Sequence, residues 1–236
     1  MSSRPAGRRP GVEAEVLRGP FDPGGQPIIE RKSHLHLSLF AWNVRNGLSA
    51  TKAVLADPSR HRDVWEWPSS SELLRETERA GFDSQLQYGM WSGYGGATGW
   101  NDAQLDWATA ATGSAVITDR LGIYSTVHVG YGFHPLLVGK ITSSIDHMSK
   151  GRLGVNIVAG SNAADYAQFG LEGPPSQEVR YAIADEFTTA LKLLWTSAEP
   201  VDFEGEYFQM YGAQVDRKST RLNSSHVSES RMPSSA

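Results

Sequence analysis

The 236-residue sequence has no cysteine and no apolar run of the length that crosses a bilayer. Without cysteine there can be no disulfide framework, no thiolate nucleophile and no zinc site with Cys ligands. A membrane-spanning helix needs about 20 consecutive apolar residues, whereas the longest apolar stretches here have the length of a strand. The N-terminal arginines are followed by Gly and Pro rather than by an apolar segment, which argues against a secretory signal. We therefore predict a globular, cytoplasmic protein with no membrane partner.

The two ends of the chain differ in composition from its middle. Residues 1–31 are rich in Gly, Pro and Arg and have no hydrophobic period, which predicts a disordered N-terminal arm. A nucleic-acid-binding arm is the alternative, but acidic residues dilute the arginines, so no nucleic-acid partner is expected. Residues 217–236 include seven serines and resemble translated sequencing-adapter read-through. We interpret them as a non-native tail, with a genuine Ser-rich disordered tail as the alternative.

Strand patterns and helix patterns alternate between residues 32 and 216. Period-two hydrophobic segments predict four strands, at 34–40, 82–89, 121–129 and 153–159. Helical spacing predicts four helices, at 69–81, 102–114, 135–150 and 179–195. The first of these helices begins at a capping-box pair, Ser69 and Glu72. A hairpin is predicted at 201–208.

The predicted strands have one apolar face, suited to helices, and one more polar face. Leu35 and Leu37 share the apolar face of the first strand, whereas Thr126 and Asn156 lie on the polar faces of the third and fourth. A doubly wound sheet favours continuous apolar runs, because helices cover both of its faces. The alternation instead predicts an α/β fold of the (β/α)8 TIM-barrel type, with its chemistry at the C-terminal ends of the strands. We count only about four strand–helix units, so the barrel at 32–216 is predicted to be partial and C-terminally truncated.

A loop rich in glycine and aromatic residues leaves the second strand at 88–100. It lacks the Gly-Lys-Ser/Thr of a P-loop and the third glycine of a dinucleotide fingerprint. Glycine allows a ligand to approach the backbone and aromatic rings can stack on it, so the loop suits a planar ligand. A mobile loop with surface aromatics is the alternative interpretation.

Three polar residues lie near the C-terminal ends of the third and fourth strands. Thr126 and His128 are two apart and therefore share a face, and Asn156 is on the next strand. Their donors and acceptors suit the edge of a flavin or an oxygen species, although they could equally bond only to one another. Arg180 and Tyr181 open the long helix, where an arginine and a helix N-terminus suit a phosphate. A surface arginine is the alternative.

A metal site is not expected. His34 and His36 are spaced as ligands on a strand, but they open the strand rather than close it. Ligands in a barrel belong at the C-terminal ends of the strands. A catalytic triad is also disfavoured, because no Gly-x-Ser-x-Gly motif is present.

The segment 144–160, SIDHMSKGRLGVNIVAG, has a helix–Gly-Arg–strand–Asn pattern. This pattern resembles the luciferase-like flavin-dependent monooxygenases, and the resemblance extends over about 31–216. It is supported by Asp165-Tyr166, by Arg180-Tyr181 and by the segment 202–208. Within that superfamily the sequence is most similar to the branch with alkanesulfonate, dimethylsulfone and pyrimidine monooxygenases.

The resemblance implies a barrel that binds reduced FMN (FMNH2), supplied by a separate NAD(P)H:flavin reductase. It implies a two-component monooxygenase, in which a flavin peroxide formed with O2 transfers one oxygen to a small organosulfur or heterocyclic substrate. The full-length protein is expected to form a homo-oligomer.

The resemblance also assigns roles by position. It makes Thr126 and Asn156 catalytic, facing the reactive edge of the flavin and the bound oxygen. His128 is added as a further catalytic candidate from its place at the strand end, a position that varies in the family. The implied cofactor-binding residues are Gly89, Met90, Thr126, Asn156, Asp165, Arg180 and Tyr181.

Two other functions remain open from the sequence. The same superfamily contains reductases that use the deazaflavin F420, so an F420-dependent oxidoreductase is the first alternative. A non-catalytic barrel subunit or an inactive fragment is the second. The family's second phosphate-binding loop would lie beyond residue 216, so the 236-residue chain by itself is predicted to be inactive.

Overall fold

The computed structural model describes residues 35–46, 56, 65–99 and 101–215, together with the backbone of 227–229. The chain divides into two units, Met1–His34 and Leu35–Ala236. The first unit lies outside the described residues, as does His34 of the two spaced histidines. The disordered arm at 1–31 therefore stays a prediction.

Helices and strands alternate along the second unit. The strands are β1 (Ser38–Phe40), β2 (Ser84–Leu86), β3 (Gly122–His128), β4 (Leu153–Val158), β5 (Val201–Glu204), β6 (Gln209–Ala213) and β7 (Val227–Glu229). The helices are α1 (Trp67–Arg79), α2 (Trp107–Ile117), α3 (Pro135–Ser149), α4 (Ala163–Gln168) and α5 (Gln177–Thr196). A single 3-10 turn, Val129–Tyr131, follows β3. None of the helices in the described part of the chain has the length and apolar character needed to cross a membrane.

Two helices begin at positions that differ from the predicted ones. Helix α1 starts at Trp67 with Glu66 as its N-cap, so the capping box at Ser69 is wrong. Proline is favoured in the first turn because its missing N–H would have no partner there, and Pro68 occupies that turn. Helix α2 starts at Trp107 rather than near 102, because Asp106 caps it by accepting two backbone N–H groups.

The main sheet is parallel and has the strand order β1-β2-β3-β4-β7. Strands β1 to β4 therefore lie side by side in chain order, with no reversal. A doubly wound sheet changes direction at a topological switch point, whereas a barrel adds each strand to the same edge. The order of the strands is that of a (β/α) barrel, and Thr126 of β3 stands directly beside Asn156 of β4.

The hydrophobic core lies on one face of this sheet. Ile123 and Val127 of β3 pack with Val155 of β4 against the buried sides of α2, α3 and α5, where Val138 and Phe187 are fully covered. The predicted apolar faces of β3 and β4 are therefore confirmed. The predicted apolar face of the first strand is wrong at Leu35 and Leu37, because Leu35 is 79% exposed and Leu37 is 43% exposed.

Part of the segment predicted as a tail has structure. Residues Val227–Glu229 form β7, which pairs in parallel with Val155–Ile157 of β4. An open strand edge carries unpaired backbone groups, and β7 pairs with three residues of the β4 edge. The interpretation of 217–236 as a non-native or disordered tail stays a prediction.

Arg152, in the Gly-Arg pair that precedes β4, joins β4 to the end of α2. Its five guanidinium N–H groups meet five acceptors: the carbonyls of Ala115, Thr118, Leu121 and Ser149 and the hydroxyl of Thr118, at 2.8–2.9 Å. The helix before it ends in two left-handed residues, Lys150 and Gly151, which turn the chain toward the strand. The sequence motif therefore has a structural role, because one side chain satisfies the carbonyls where α2 ends and β3 begins.

Glu78 of α1 holds the turn between α2 and β3 from the other side. Its Oε1 accepts the backbone N–H groups of Arg120 at 2.6 Å, Leu121 at 2.8 Å and Asp119 at 3.0 Å. Burial raises the pKa of Glu78, but the three N–H groups lower it more, so its pKa lies below the ordinary 4.5. A carboxyl with a lowered pKa stabilises the fold above its unfolded-state pKa, and this stabilisation is lost as the pH falls through the folded-state pKa.

We expect Glu78→Gln to cost about 1 kcal/mol of unfolding free energy at neutral pH, since a neutral amide accepts these N–H groups less strongly. Below pH 4.5 the difference from the wild type should shrink, because the unfolded chain binds a proton at this carboxyl before the folded chain, whose Glu78 pKa is lower, does. Urea denaturation at neutral pH and well below pH 4.5 measures both values. Glu72→Gln, at an exposed position of the same helix, is the control. A cost for Glu78→Gln that does not change with pH would contradict this role.

Candidate active site

A cavity of about 310 Å³ opens at the C-terminal ends of β2 and β3. Three tryptophans line it, Trp65, Trp91 and Trp107, and Gln104 contributes a side-chain amide. Four of the predicted site residues also line it, namely Gly89, Met90, Thr126 and His128. The structure therefore brings half of the predicted site into one space, at the end of the sheet where a barrel carries its chemistry.

Gly89 lies where the chain after β2 touches β3. A Cβ at this position would be 2.7 Å from the carbonyl oxygen of Thr126 and 2.9 Å from its Cβ. Any larger residue would force the two segments apart. Glycine therefore allows the backbone at 89–90 to lie against β3 on the wall of the cavity.

Thr126 and Asn156 form a hydrogen-bonded pair across β3 and β4. The Thr126 hydroxyl donates to the carbonyl of Gln87 at 2.6 Å and accepts from the Asn156 Nδ2 at 3.1 Å. Both side chains are buried. The pair has a fixed orientation, in which the Thr126 proton points to the backbone of the preceding strand.

His128 ends β3 and lines the same cavity. Its Nδ1 lies 3.2 Å from the hydroxyl oxygen of Tyr131, and the two rings are stacked with centroids 5.4 Å apart. Burial lowers the pKa of His128 to about 4, and the charge of Asp165 raises it by a smaller amount. The ring is therefore neutral at pH 7.

The lowered pKa of His128 predicts a pH-dependent stability. Between pH 6.5 and about 4 the unfolded chain binds a proton on this ring and the folded chain does not. The unfolding free energy should therefore decrease as the pH falls through this window, by up to about 1.4 kcal/mol per pH unit. We expect His128→Gln to remove this part of the slope in urea denaturation curves. His147→Gln, at an exposed histidine, should keep it; equal slopes in the wild type and His128→Gln would contradict the assignment.

Asp165 of α4 connects the glycine-rich loop to the rest of the site. Its buried carboxylate accepts the backbone N–H groups of Ser92 at 2.7 Å and Trp91 at 3.3 Å, and the Ser92 hydroxyl. Tyr131 donates its hydroxyl to the same carboxylate at 2.8 Å, and the Asn162 amide lies at 3.3 Å. Asp165 therefore acts on the cavity through the loop that lines it, since the side chain itself is not part of the lining.

Arg180 and Tyr181 do not line this cavity. They lie in the first turns of α5, which Ser176 caps. The Nε of Arg180 is buried and has no hydrogen-bond partner among the described residues. A buried cationic donor without a partner has the chemistry to bind an anion such as a phosphate.

The sequence did not reveal an aromatic cluster beside the cavity. Trp91 packs edge-on against Phe169, which is stacked on Tyr131, while Tyr166 meets Tyr131 edge-on. These rings come from three separate segments, so no local spacing could have indicated the cluster. In the described ranges no three His, Cys, Asp or Glu side chains gather as metal ligands would, and His36 lies 3.4 Å from Asp83.

Comparison with known proteins identifies the family of this site. Residues 50–222 match the model of the luciferase-like monooxygenases. The chain belongs to this family. The match confirms the resemblance that the helix–Gly-Arg–strand–Asn pattern indicated in the sequence.

Individual relatives agree with this family. The chain is 33% identical over 147 residues to the pyrimidine monooxygenase RutA of Acinetobacter baylyi, a match that covers 62% of the chain and 39% of that relative. Among solved structures, it is similar to riboflavin lyase (RcaE) with modified FMN and riboflavin, with a TM-score of 0.68 and 23% identity over 78% of the chain and 47% of the other. The chain is also similar to an F420-dependent secondary alcohol dehydrogenase, with a TM-score of 0.59 and 20% identity over 76% of this chain and 48% of the other.

These similarities confirm the predicted fold class. The described strands and helices form part of a luciferase-like TIM barrel, in the order that the parallel sheet shows. The chain spans about two fifths of the length of the curated relative it matches.

Proposed function

We propose that the chain belongs to a monooxygenase that uses reduced FMN and O2 to oxygenate a small heterocyclic or organosulfur compound. The observation that carries the proposal is the cavity wall formed by Gly89 and Thr126 at the C-terminal ends of β2 and β3, with Asn156 of β4 bonded to Thr126 from behind the lining, in a chain of the luciferase-like family. The pyrimidine monooxygenase relative favours the heterocycle among the two substrate classes.

The residues of the cavity fit a flavin. Gly89 lets the backbone at 89–90 lie against β3 on the cavity wall, and three tryptophans offer apolar surfaces for a planar ring. Thr126 places a polar side chain in the lining of the cavity, and the hydrogen bonds to Gln87 and Asn156 fix its orientation. Arg180 has a buried donor suited to the phosphate group, and Asp165 holds the loop that carries Met90 and Trp91.

Bound reduced flavin would supply the electrons that activate O2. The residues of the chain would supply binding and orientation. Met90 and the tryptophans would cover the bound ring, the Thr126 hydroxyl held by Asn156 would orient polar groups at its edge, and neutral His128 would accept a hydrogen bond from a ligand. We propose that a separate NAD(P)H:flavin reductase supplies the reduced FMN, as the resemblance to two-component monooxygenases implies and the similarity to the pyrimidine monooxygenase supports. We also propose that the full-length protein is a homo-oligomer.

Oxygen uptake tests this proposal. The protein from the longest open reading frame of the gene is mixed with FMN, NADH and a flavin reductase. Formation of an oxygenated product under ¹⁸O2 is then followed, with uracil and with an alkanesulfonate as substrates. We expect one ¹⁸O atom in the product from one of these substrates, and no product when the reductase is omitted. A folded protein that forms no oxygenated product and binds no flavin would favour the non-catalytic subunit or fragment.

An F420-dependent oxidoreductase is the second candidate, favoured by the similarity in fold to the F420-dependent alcohol dehydrogenase. The same cavity would then hold the deazaflavin. Hydride exchange between F420 and a secondary alcohol, without oxygen uptake, would support this candidate over the first.

A further inference from the structure

The hydroxyl of Tyr131 lies between a carboxylate and an imidazole. Its oxygen is 2.8 Å from Oδ2 of Asp165 and 3.2 Å from Nδ1 of His128. Tyr131 and Asp165 are buried, and Tyr131 does not line the cavity. The three side chains therefore form a chain of hydrogen bonds that runs from the base of the glycine-rich loop to the wall of the cavity.

The direction of each hydrogen bond follows from the number of protons. Asp165 accepts from two backbone N–H groups, from Ser92 and from an amide, so its oxygens act as acceptors. The single proton of the Tyr131 hydroxyl must therefore point to Asp165. The phenol oxygen then has only lone pairs to offer His128 and is the acceptor of their hydrogen bond. The Nδ1 of His128 must therefore carry a hydrogen and act as the donor.

We propose that Tyr131 is a positioning residue that, held by Asp165, fixes His128 in the Nδ1–H tautomer and so presents its Nε2 as a hydrogen-bond acceptor to the cavity. In the described part of the chain, no side chain or backbone group bonds to this Nε2. The group of a ligand that reaches His128 must therefore be an N–H or O–H donor. Only the identity of that ligand rests on the proposed function; the tautomer is a property of the protein itself.

The stacking contacts of Tyr131 are separate from its hydrogen bonds. Its ring stacks on His128 and on Phe169, and a phenylalanine at this position would keep both contacts. Tyr131→Phe therefore removes only the hydroxyl that orients the imidazole. Tyr166→Phe is the matched control, because the Tyr166 hydroxyl is buried in the same cluster and has no hydrogen-bond partner among the described residues.

¹⁵N NMR of histidine-labelled protein tests the proposal, using the longest gene product without added flavin or substrate. At neutral pH we expect the wild type to show a protonated Nδ1 and an unprotonated Nε2 for His128, assigned by its loss in His128→Gln. In Tyr131→Phe we expect the Nδ1–H signal to be lost in most molecules and replaced by Nε2–H. Tyr166→Phe should keep the wild-type pattern.

Three results would overturn the proposal: an Nε2–H tautomer in the wild type, an unchanged Nδ1–H tautomer in folded Tyr131→Phe, or an equal change in Tyr166→Phe. The wild-type spectrum decides the first of these even if a variant does not fold. Because the sample contains no flavin, the spectrum shows the tautomer of His128 whether or not the protein binds FMN. Failure of the proposed function is therefore distinguishable from failure of the tautomer proposal.

Discussion

Replacing Arg152 with alanine is expected to lower the free energy of unfolding by about 3 kcal/mol or more. The substitution leaves the carbonyls of Ala115, Thr118, Leu121 and Ser149 without the N–H donors that now satisfy them. Each buried polar group that loses its partner costs about 1–3 kcal/mol. Urea denaturation, followed by far-UV circular dichroism, measures the change.

Two further variants make the Arg152 result specific. Arg152→Lys should recover little of the loss, because one ammonium cannot match a planar group with five N–H donors. Arg120→Ala, at an exposed arginine in the adjacent turn, should change the unfolding free energy by no more than about 0.5 kcal/mol. A lysine variant as stable as the wild type would contradict this account, because it would show that the positive charge at residue 152 stabilises the fold and the hydrogen-bond geometry does not.

Replacing Asp165 with asparagine is expected to release the glycine-rich loop. The asparagine side chain has nearly the same size, but it has one acceptor oxygen where the carboxylate has two, and its NH2 group would face N–H and O–H donors. The contacts with Trp91, Ser92 and Tyr131 cannot all be kept. We expect a loss of about 2–3 kcal/mol of unfolding free energy, since hydrogen bonds to a buried carboxylate are charge-assisted.

Hydrogen exchange gives a local measurement of this release. The amides of Trp91 and Ser92 should exchange at least about tenfold faster in Asp165→Asn than in the wild type, while amides of β3 change little. Reduced FMN, if it binds as proposed, should bind at least about tenfold more weakly, because the loop forms one wall of its cavity. Asp185→Asn, at an exposed aspartate of α5, is the control. Unchanged exchange at Ser92 would contradict the role of Asp165.

The parallel barrel order could be predicted from the sequence because its signals are local. In β3 and β4, apolar and polar residues alternate with period two, and this pattern alone separates Val127 and Val155 in the core from Thr126 and Asn156 on the site face. The same rule was wrong at Leu35 and Leu37. Both are exposed, since alternation reports only which side chains share a face and not whether anything covers that face.

Buried glutamines show where the sequence pattern gave no guidance. Gln85 and Gln87 lie in or beside β2 and are fully buried, although glutamine side chains are polar. Gln85 accepts the Trp42 N–H at 2.5 Å, so its cost of burial is offset by a residue 43 positions away. Partners at such distances along the chain are not visible in any local window.

The candidate site was predictable in its parts but not in its connections. Thr126, Asn156 and Asp165 follow from the family resemblance, and His128 from its place at the end of a predicted strand. The contact between Asp165 and the loop joins residues 73 positions apart, and Tyr131 carries no signal that distinguishes it from other aromatics. Their roles depend on which donors and acceptors the fold brings together, and no local sequence pattern contains that information.

The most direct measurement of the central claim is an anaerobic titration of the longest gene product with FMNH2 and, separately, with F420H2. If the ends of β2 to β4 form a reduced-FMN site, the protein should bind one equivalent of FMNH2 more tightly than F420H2. Asn156→Leu should weaken this binding at least about tenfold by removing the amide beside Thr126, while the exposed-surface variant Asp185→Asn should bind as the wild type does. A folded protein that binds no FMNH2, that prefers F420H2, or whose affinity is unchanged in Asn156→Leu would contradict the account.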